Sequence, residues 1–311
     1  MELTVKRKGI WYRWKKMLKR DWHLILLCVP ALIFIFIFDY GPMYGIQIAF
    51  KDYNSRKGIW GSEWVGFEHF IRFFNSPNFW NILRNTLSIS FYSLLASFPF
   101  PIFLALLVNQ VTKKKFKRTV QMVLYAPHFI SVIVLCGMLH VFLSPSTGIV
   151  NNILASLGME RIYFLGEAAL FNDVFVWSGV WQNSGWGMII YLAALTSIDP
   201  ELYEAAKIDG ANKIKLITHI EIPQIMPTIV IMLIMNVGRF MNVGFQKAFL
   251  LQNPLNLQSS EIISTYVYRM GMLGQQFSFS TAIGLFNNVV NIILLITVNQ
   301  ICKKLNETSL W

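Results

Sequence analysis

The sequence predicts an all-α membrane protein with six transmembrane helices. Of its 311 residues, 55% are hydrophobic and only 14% charged, against roughly 25% charge in soluble domains. The apolar residues gather into stretches of about 20, long enough to cross a bilayer as helices. The cations, in turn, gather in alternate connections between those stretches.

The first span is expected over residues 22–40, after a basic tail at 1–21. A signal peptide has the same layout, but the exit "FDYGPMYG" lacks a small-residue cleavage site and the apolar stretch is too long, so it reads as a retained span. The next spans are expected over 87–111, 120–143, 173–195, 227–250 and 279–302, with a C-terminal tail at 303–311. The longest polar connection, 199–227, joins the fourth span to the fifth. In it Asp199 is placed to cap a helix whose first residue is Pro200, and Gly210 falls where a chain leaves a helix with positive φ. A second helix is expected from Asn212, stopping before Pro223 because a proline disfavours helix in the residue before it.

Orientation follows from the cations. Of 27 Lys and Arg, eight lie before Asp21, five in "KKKFKR", three in the 199–227 loop and two at Lys303 and Lys304. The opposite loops hold Lys51, Arg56, Lys57, Arg72, Arg84, Arg161 and Arg269. The positive-inside rule puts both termini and the 199–227 loop in the cytoplasm. The net charge of +11 expresses topology and contact with anionic lipid, and no nucleic-acid module accompanies it.

Covalent chemistry finds no support. Cys28, Cys136 and Cys302 are far apart and read as packing residues, with no disulfide framework or metal-ligand spacing. The five histidines are unpaired in sequence, and there is no phosphate-binding lysine loop or serine elbow. The sequon at Asn306 falls on the cytoplasmic side.

The segment "EAAKIDGANKIKLITHIEIP" resembles the EAA loop of ABC-type importer permeases. Glu204, Ala205, Ala206, Asp209, Gly210, Ala211, Ile220 and Pro223 match it, while Ile222 and Ile217 replace the usual leucine and aromatic with other apolar residues. The stretches "RDWHLILLCVPALIFIFIFDYGPMYGIQIAFKDY", "WVGFEHFIRFF", "FWNILRNTLSIS" and "ETSLW" resemble the branch of these permeases that serves oligosaccharides and polysaccharides. The resemblance implies a type I ABC importer permease in a bacterial plasma membrane. It further implies a heterodimer with a second permease, two ATPase subunits and an extracytoplasmic solute-binding protein. ATP and Mg would be bound by the ATPases, with no cofactor and no enzymatic activity in this chain. Two short helices at an angle make a knob that fits a cleft on the ATPase, the alanines allow close backbone approach, and Glu204 and Asp209 meet cations or backbone donors. The competing reading is an amphipathic hairpin lying on lipid headgroups.

Polar groups inside spans face protein or a water-filled path. On a continuous helix Arg239, Asn242 and Gln246 fall within about 60° of one another, and Asn287, Asn288 and Asn291 within about 100°. With Trp181 and Trp186 to stack on sugar rings, these residues are the candidate glycan path. The same amides can instead fasten helices together, and Gly284 shares the second stripe. Arg239 needs a partner: a substrate carboxylate, Asp173, Asp39 or an acid in the second permease. The outer segments 51–74 and 144–171 suit docking of a protein surface, or a membrane-interface belt around Trp60 and Trp64. A permease for another solute and a secondary transporter are the alternatives; no inverted repeat of the latter kind is evident.

Overall fold

The computed structural model describes Trp11 and residues 20–306, with side chains through Lys304. Seven of the eight tail cations, the sequon threonine and the terminal "ETSLW" lie outside the described residues. The chain divides into two units, Met1–Phe67 and Glu68–Trp311.

In the first unit, α1 (Trp22–Ile35) carries no buried residue. Helical backbone continues through a wide turn at Phe36–Tyr40 to a narrow one at Tyr44–Phe50, so the apolar run is Trp22–Phe50, longer than expected. A short antiparallel ribbon pairs Lys51 with Trp64 and Asp52 with Glu63.

The second unit is helical. After α2 (Glu68–Phe74), α3 (Phe79–Ser97) and α4 (Pro99–Asn109) form one apolar run of 31 residues. Next come α5 (Lys114–Tyr125), α6 (Val132–Phe142), α7 (Ile149–Ser156) and α8 (Phe171–Thr196). The hairpin holds α9 (Pro200–Ile208) and α10 (Lys213–Leu216), followed by α11 (Ile222–Val237), α12 (Phe245–Leu251), α13 (Ile263–Tyr268) and α14 (Phe277–Asn306). Three main apolar clusters hold them together. One joins α3, α6, α8 and α12 around Cys136, Phe175 and Ala248; another joins α4, α8 and α11 around Ala105, Met188 and Ile225; the third surrounds Phe73, Ile82 and Phe279. Cys302 packs in a fourth with Val230 and Ile234, whereas Cys28 is exposed.

Among the described residues four helical runs are long and apolar enough to cross a membrane, or five if one bent pair counts as a single span. The 26-residue α8 matches the expected fourth span in length but carries buried Gln182 and Ser184 among its apolar residues.

Two expected spans are not continuous. The third, expected over 120–143, bends by 96° between the helical segments Lys114–Phe129 and Val132–Phe142. Pro127 lacks an N–H, Ser131 caps α6 by accepting from Val134 N at 3.3 Å, and the freed Ile130 carbonyl accepts from Gln182 Nε2 at 2.7 Å. The fifth, expected over 227–250, starts early and stops early: helix runs Lys213–Val237, then unwinds before α12. Pro223 does not end it. A π-helical turn over Ile217–Glu221 sends the Ile222 N–H to Ile217 O, five residues back, and Pro223 falls in the first turn of α11, where no donor is needed.

Candidate functional site

The hairpin forms as its residues dictate. Asp199 Oδ1 accepts from Glu201 N at 3.0 Å with Pro200 opening α9. Gly210 has φ +75°. Ala211 N returns to Ala206 O at 2.9 Å and Gly210 N to Lys207 O at 3.1 Å, which closes the carbonyl end of α9. Asn212 Oδ1 then caps α10 through Lys215 N at 2.9 Å.

Of the matched residues, Glu204, Ala205, Asp209, Gly210 and Pro223 are exposed, and Ala206 and Ala211 half-buried. Ile220 points the other way and packs against the α4–α8–α11 cluster, so it anchors the hairpin and is not part of its outer surface. Sequence reasoning passed over two residues. Ile208 and Ile214 are 86% and 70% exposed on either side of the glycine turn, two large apolar side chains beside the matched residues. Their signal was visible: isoleucines flanking a positive-φ glycine in a polar loop.

Tyr203, at the base of the hairpin, has its hydroxyl pushed up to about 12, chiefly by burial and further by the carboxylate of Glu221, to which it donates at 3.3 Å.

The second candidate region is a polar cleft of about 220 Å³ between α3 and the unwound segment after α11. Ser90, Ser93 and Ser97 line one side; Asn236, Arg239 and Asn242 line the other. Residues 238–244 are not helical, so the expected face of Arg239, Asn242 and Gln246 does not exist as a helical stripe. Arg239 and Asn242 nevertheless reach the same cleft, while Gln246 is exposed on α12. Among the described residues no carboxylate lies within ion-pair distance of Arg239. Asp173 instead accepts from the Tyr92 hydroxyl at 2.7 Å, because that hydroxyl lies beside it on α3.

On α14, Asn287 and Asn291 act as helix fasteners. Both donate to Asn242 Oδ1, at 3.0 and 3.4 Å, and Asn291 Oδ1 accepts from the Met241 N–H at 2.9 Å, satisfying a donor released by the unwinding. Asn288 is exposed. Gly284 makes no close helix contact: a Cβ there would meet nothing within 4 Å.

Trp181 and Trp186 diverge, being five residues apart on one helix. Trp186 stacks on His128 with centroids 4.7 Å apart, and His128 Nδ1 lies 3.1 Å from Asn183 Oδ1. Trp181 lines a different cavity, of about 490 Å³, walled by Leu139, Phe142, Val174 and Trp177. That lining offers sugar hydroxyls few partners, so Trp181 does not belong with the cleft.

The serines were missed although their spacing, i, i+3 and i+7, follows a helix face. Lys247 is buried on α12, where its ammonium donates to Phe175 O at 2.6 Å and lies 4.7 Å from that ring's centre. On the opposite side of the expected membrane, Arg72 donates to Gln276 Oε1 at 2.8 Å and covers the Phe279 ring, whereas Arg56 and Lys57 are exposed.

Comparison with known proteins places these features in one context. Residues 97–306 match the family described as binding-protein-dependent transport system inner membrane component. The chain is 45% identical over 304 residues to Protein LplB of Bacillus subtilis (strain 168), covering 98% of this chain and 95% of that protein. It is 42% identical to the polygalacturonan/rhamnogalacturonan transport system permease protein YteP of the same organism, covering 93% of this chain and 90% of YteP. Two crystal structures contain a similar chain, each with TM-score 0.87 and 41% identity. One is of a bacterial alginate ABC transporter in complex with an alginate pentasaccharide-bound periplasmic protein, matching 96% of this chain and 99% of that one. The other is of a bacterial ABC transporter involved in import of the acidic polysaccharide alginate, matching 94% and 99%.

Proposed function

The chain belongs to the family of inner membrane components of binding-protein-dependent transport systems, and from that membership we propose that it is the permease of an importer for acidic oligosaccharides or polysaccharide fragments. It is a multi-pass membrane transport subunit and not an enzyme; ATP hydrolysis belongs to a partner ATPase. The observation that carries the coupling reading is the exposed, well-capped hairpin with Ile208, Glu204 and Asp209 on its outer surface. Two rigid helices joined at a glycine that L side chains resist make a knob of fixed shape, which a lipid-lying hairpin does not require.

The acidic class of cargo is supported by two independent features. Of the relatives named for a cargo, one transports polygalacturonan/rhamnogalacturonan and another the acidic polysaccharide alginate, while a less similar one is named for arabinooligosaccharides. In this chain Arg239 enters a serine- and asparagine-lined cleft without a carboxylate partner among the described residues. A guanidinium binds a carboxylate bidentately while amides and hydroxyls take sugar hydroxyls. Asn242 and the three serines extend this path; Gln246, Asn288, Trp181 and Trp186 are not among the residues that line it.

The assembly we propose has a second permease, two ATPase subunits that bind ATP and Mg, and a solute-binding protein meeting the outer loops around Arg56 and Lys57. Six spans of the type I arrangement, with both termini and the hairpin in the cytoplasm, agree with the distribution of cations in the sequence.

The test is uptake by the reconstituted complex of oligogalacturonates against neutral oligosaccharides of equal length. Uptake is expected to require ATP and the binding protein and to favour the acidic sugar. Uptake driven by an ion gradient without ATP refutes the importer reading, and preference for the neutral sugar refutes the acidic one. Glu204→Lys and Gly210→Val should insert normally yet lose the ATPase or uptake; wild-type uptake with a fully retained ATPase in both refutes the docking role.

A further inference from the structure

Glu221 is completely buried at the last position of the π-helical turn between the hairpin and α11. One carboxylate oxygen accepts from three different places: Asn109 Nδ2 at 2.7 Å and Gln110 Nε2 at 2.8 Å, at the end of α4, and the Tyr203 hydroxyl at 3.3 Å, on α9. The other oxygen is equally buried and has no hydrogen-bond partner among the described residues. All three neighbours are neutral donors, so the group is not a cation site, which would need several oxygen ligands converging on one point. Burying a carboxylate without a cation is costly, and an apolar residue facing the adjacent cluster would hold the helices together with less penalty. The arrangement therefore calls for a role beyond stability.

We propose that Glu221 is a joint that makes the coupling hairpin, the base of α11 and the end of α4 move as one body, and that it transmits displacement of the hairpin to the serine-lined helix run of which α4 is part. Its place is specific: Tyr203 directly precedes Glu204 on the surface assigned to ATPase docking, and α4 continues from α3, which carries Ser90, Ser93 and Ser97. Without the joint, the hairpin could shift as a unit while α4 stayed behind. Glu221, Tyr203, Asn109 and Gln110 are positioning residues; none touches the cleft. The inference rests on the docking reading above.

The experiment uses the complete complex with its ATPase and binding protein, in a Cys28→Ser background carrying Ser93→Cys as a reporter in the cleft. The rate of maleimide labelling at position 93 is compared without nucleotide and with ATP plus vanadate. Tyr203→Phe and Glu221→Gln should each shrink the nucleotide-dependent change by about threefold or more, and the double variant should do no more than either single one, as expected of a single unit. A purely structural role would lower the melting temperature and leave the nucleotide-dependent change at the parent's value in both variants; that result overturns the proposal. Glu204→Lys separates the two readings. If it sheds the ATPase while Tyr203→Phe keeps the full labelling change, the joint is refuted and the docking reading stands. If Glu204→Lys keeps both ATPase and labelling change, the docking reading falls and the joint with it.

Discussion

Gly185 sits where α8 crosses α5, and replacing it with alanine is a demanding test of the packing. A Cβ at that position would lie 1.9 Å from the Leu124 carbonyl oxygen, 2.5 Å from its carbonyl carbon and 3.1 Å from its Cβ. The first two are backbone atoms, so no rotamer change relieves the overlap. Ordinary carbon–oxygen contact begins near about 3.3 Å, so the two helices must separate by roughly an ångström or more. The same crossing holds the Gln182 Nε2 to Ile130 O bond at 2.7 Å, which does not survive that separation. Overpacking costs about 1–3 kcal/mol and a stranded buried acceptor about 1–3 kcal/mol more. A net loss of about 3 kcal/mol corresponds to a fall in melting temperature on the order of 5–10 °C. The assay is thermal unfolding of the purified complex in detergent, with Gly284→Ala as the matched control. Because nothing lies within 4 Å of a Cβ at Gly284, that change should gain about 0.5–1 kcal/mol of helix propensity. If Gly185→Ala melts with the wild type, or if both substitutions act with the same sign, the crossing geometry is wrong.

Four further outcomes follow from the structure. Arg239→Gln should lower uptake of an acidic oligosaccharide about 10- to 150-fold, the equivalent of one charged hydrogen bond at about 1.5–3 kcal/mol, and barely change that of a neutral one; equal loss for both would remove the arginine from carboxylate recognition. Gln275 holds φ +54°, so Gln275→Gly should stabilise the turn before α14 by about 1 kcal/mol, read as a higher melting temperature. Tyr203 has a raised folded-state value, so its contribution to stability is complete below the ordinary phenol value and is lost as pH rises through about 12; difference-absorbance titration of wild type against Tyr203→Phe should show one tyrosine ionising only there. Burial raises the Glu261 carboxyl while Arg269, 2.9 Å away, opposes the rise. Stability from this group is therefore lost as pH climbs through its raised value, and Arg269→Met should cost more melting temperature at about pH 8 than at about pH 5. A loss independent of pH would contradict this.

Local grammar makes the hairpin legible in the sequence alone. Asp199, Pro200, Gly210 and Asn212 act on backbone groups one to four residues away, and every one of them performs the task its position suggested. α14 was equally plain, since length and composition suffice for it, whereas α8 forms as a long helix at its expected place but is not among the runs that pass on length and composition. The two broken helices were not plain, and the reason differs between them. In the third, Pro127 and Ser131 stood in the sequence as a local signal, but the apolar stretch around them outweighed it; the decisive partner, Gln182, is 52 residues away. In the fifth, Gly238 and Gly244 gave only a weak hint, and the bond that tolerates the unwinding comes from Asn291 on the last helix. The cleft inherits that difficulty. A helical wheel presumes the backbone it is drawn on, so it grouped Gln246 with Arg239 and left out the serines that face the arginine from another helix.

The unbroken helical run Lys213–Val237 has a mechanical consequence. Its 25 residues make a rod of about 37 Å at 1.5 Å per residue, with the proposed docking knob at one end and the unwound cleft segment at the other. Tilting such a rod by about 10° about its cleft end carries its hairpin end roughly 6 Å, so a sizeable swing of the proposed knob corresponds to a small rotation beside the cleft. The irregular backbone at 238–244 then acts as a fulcrum, and leverage and cargo fit are set by the same few residues. On the proposed reading, a substitution in this segment that alters cargo fit also alters the swing of the knob.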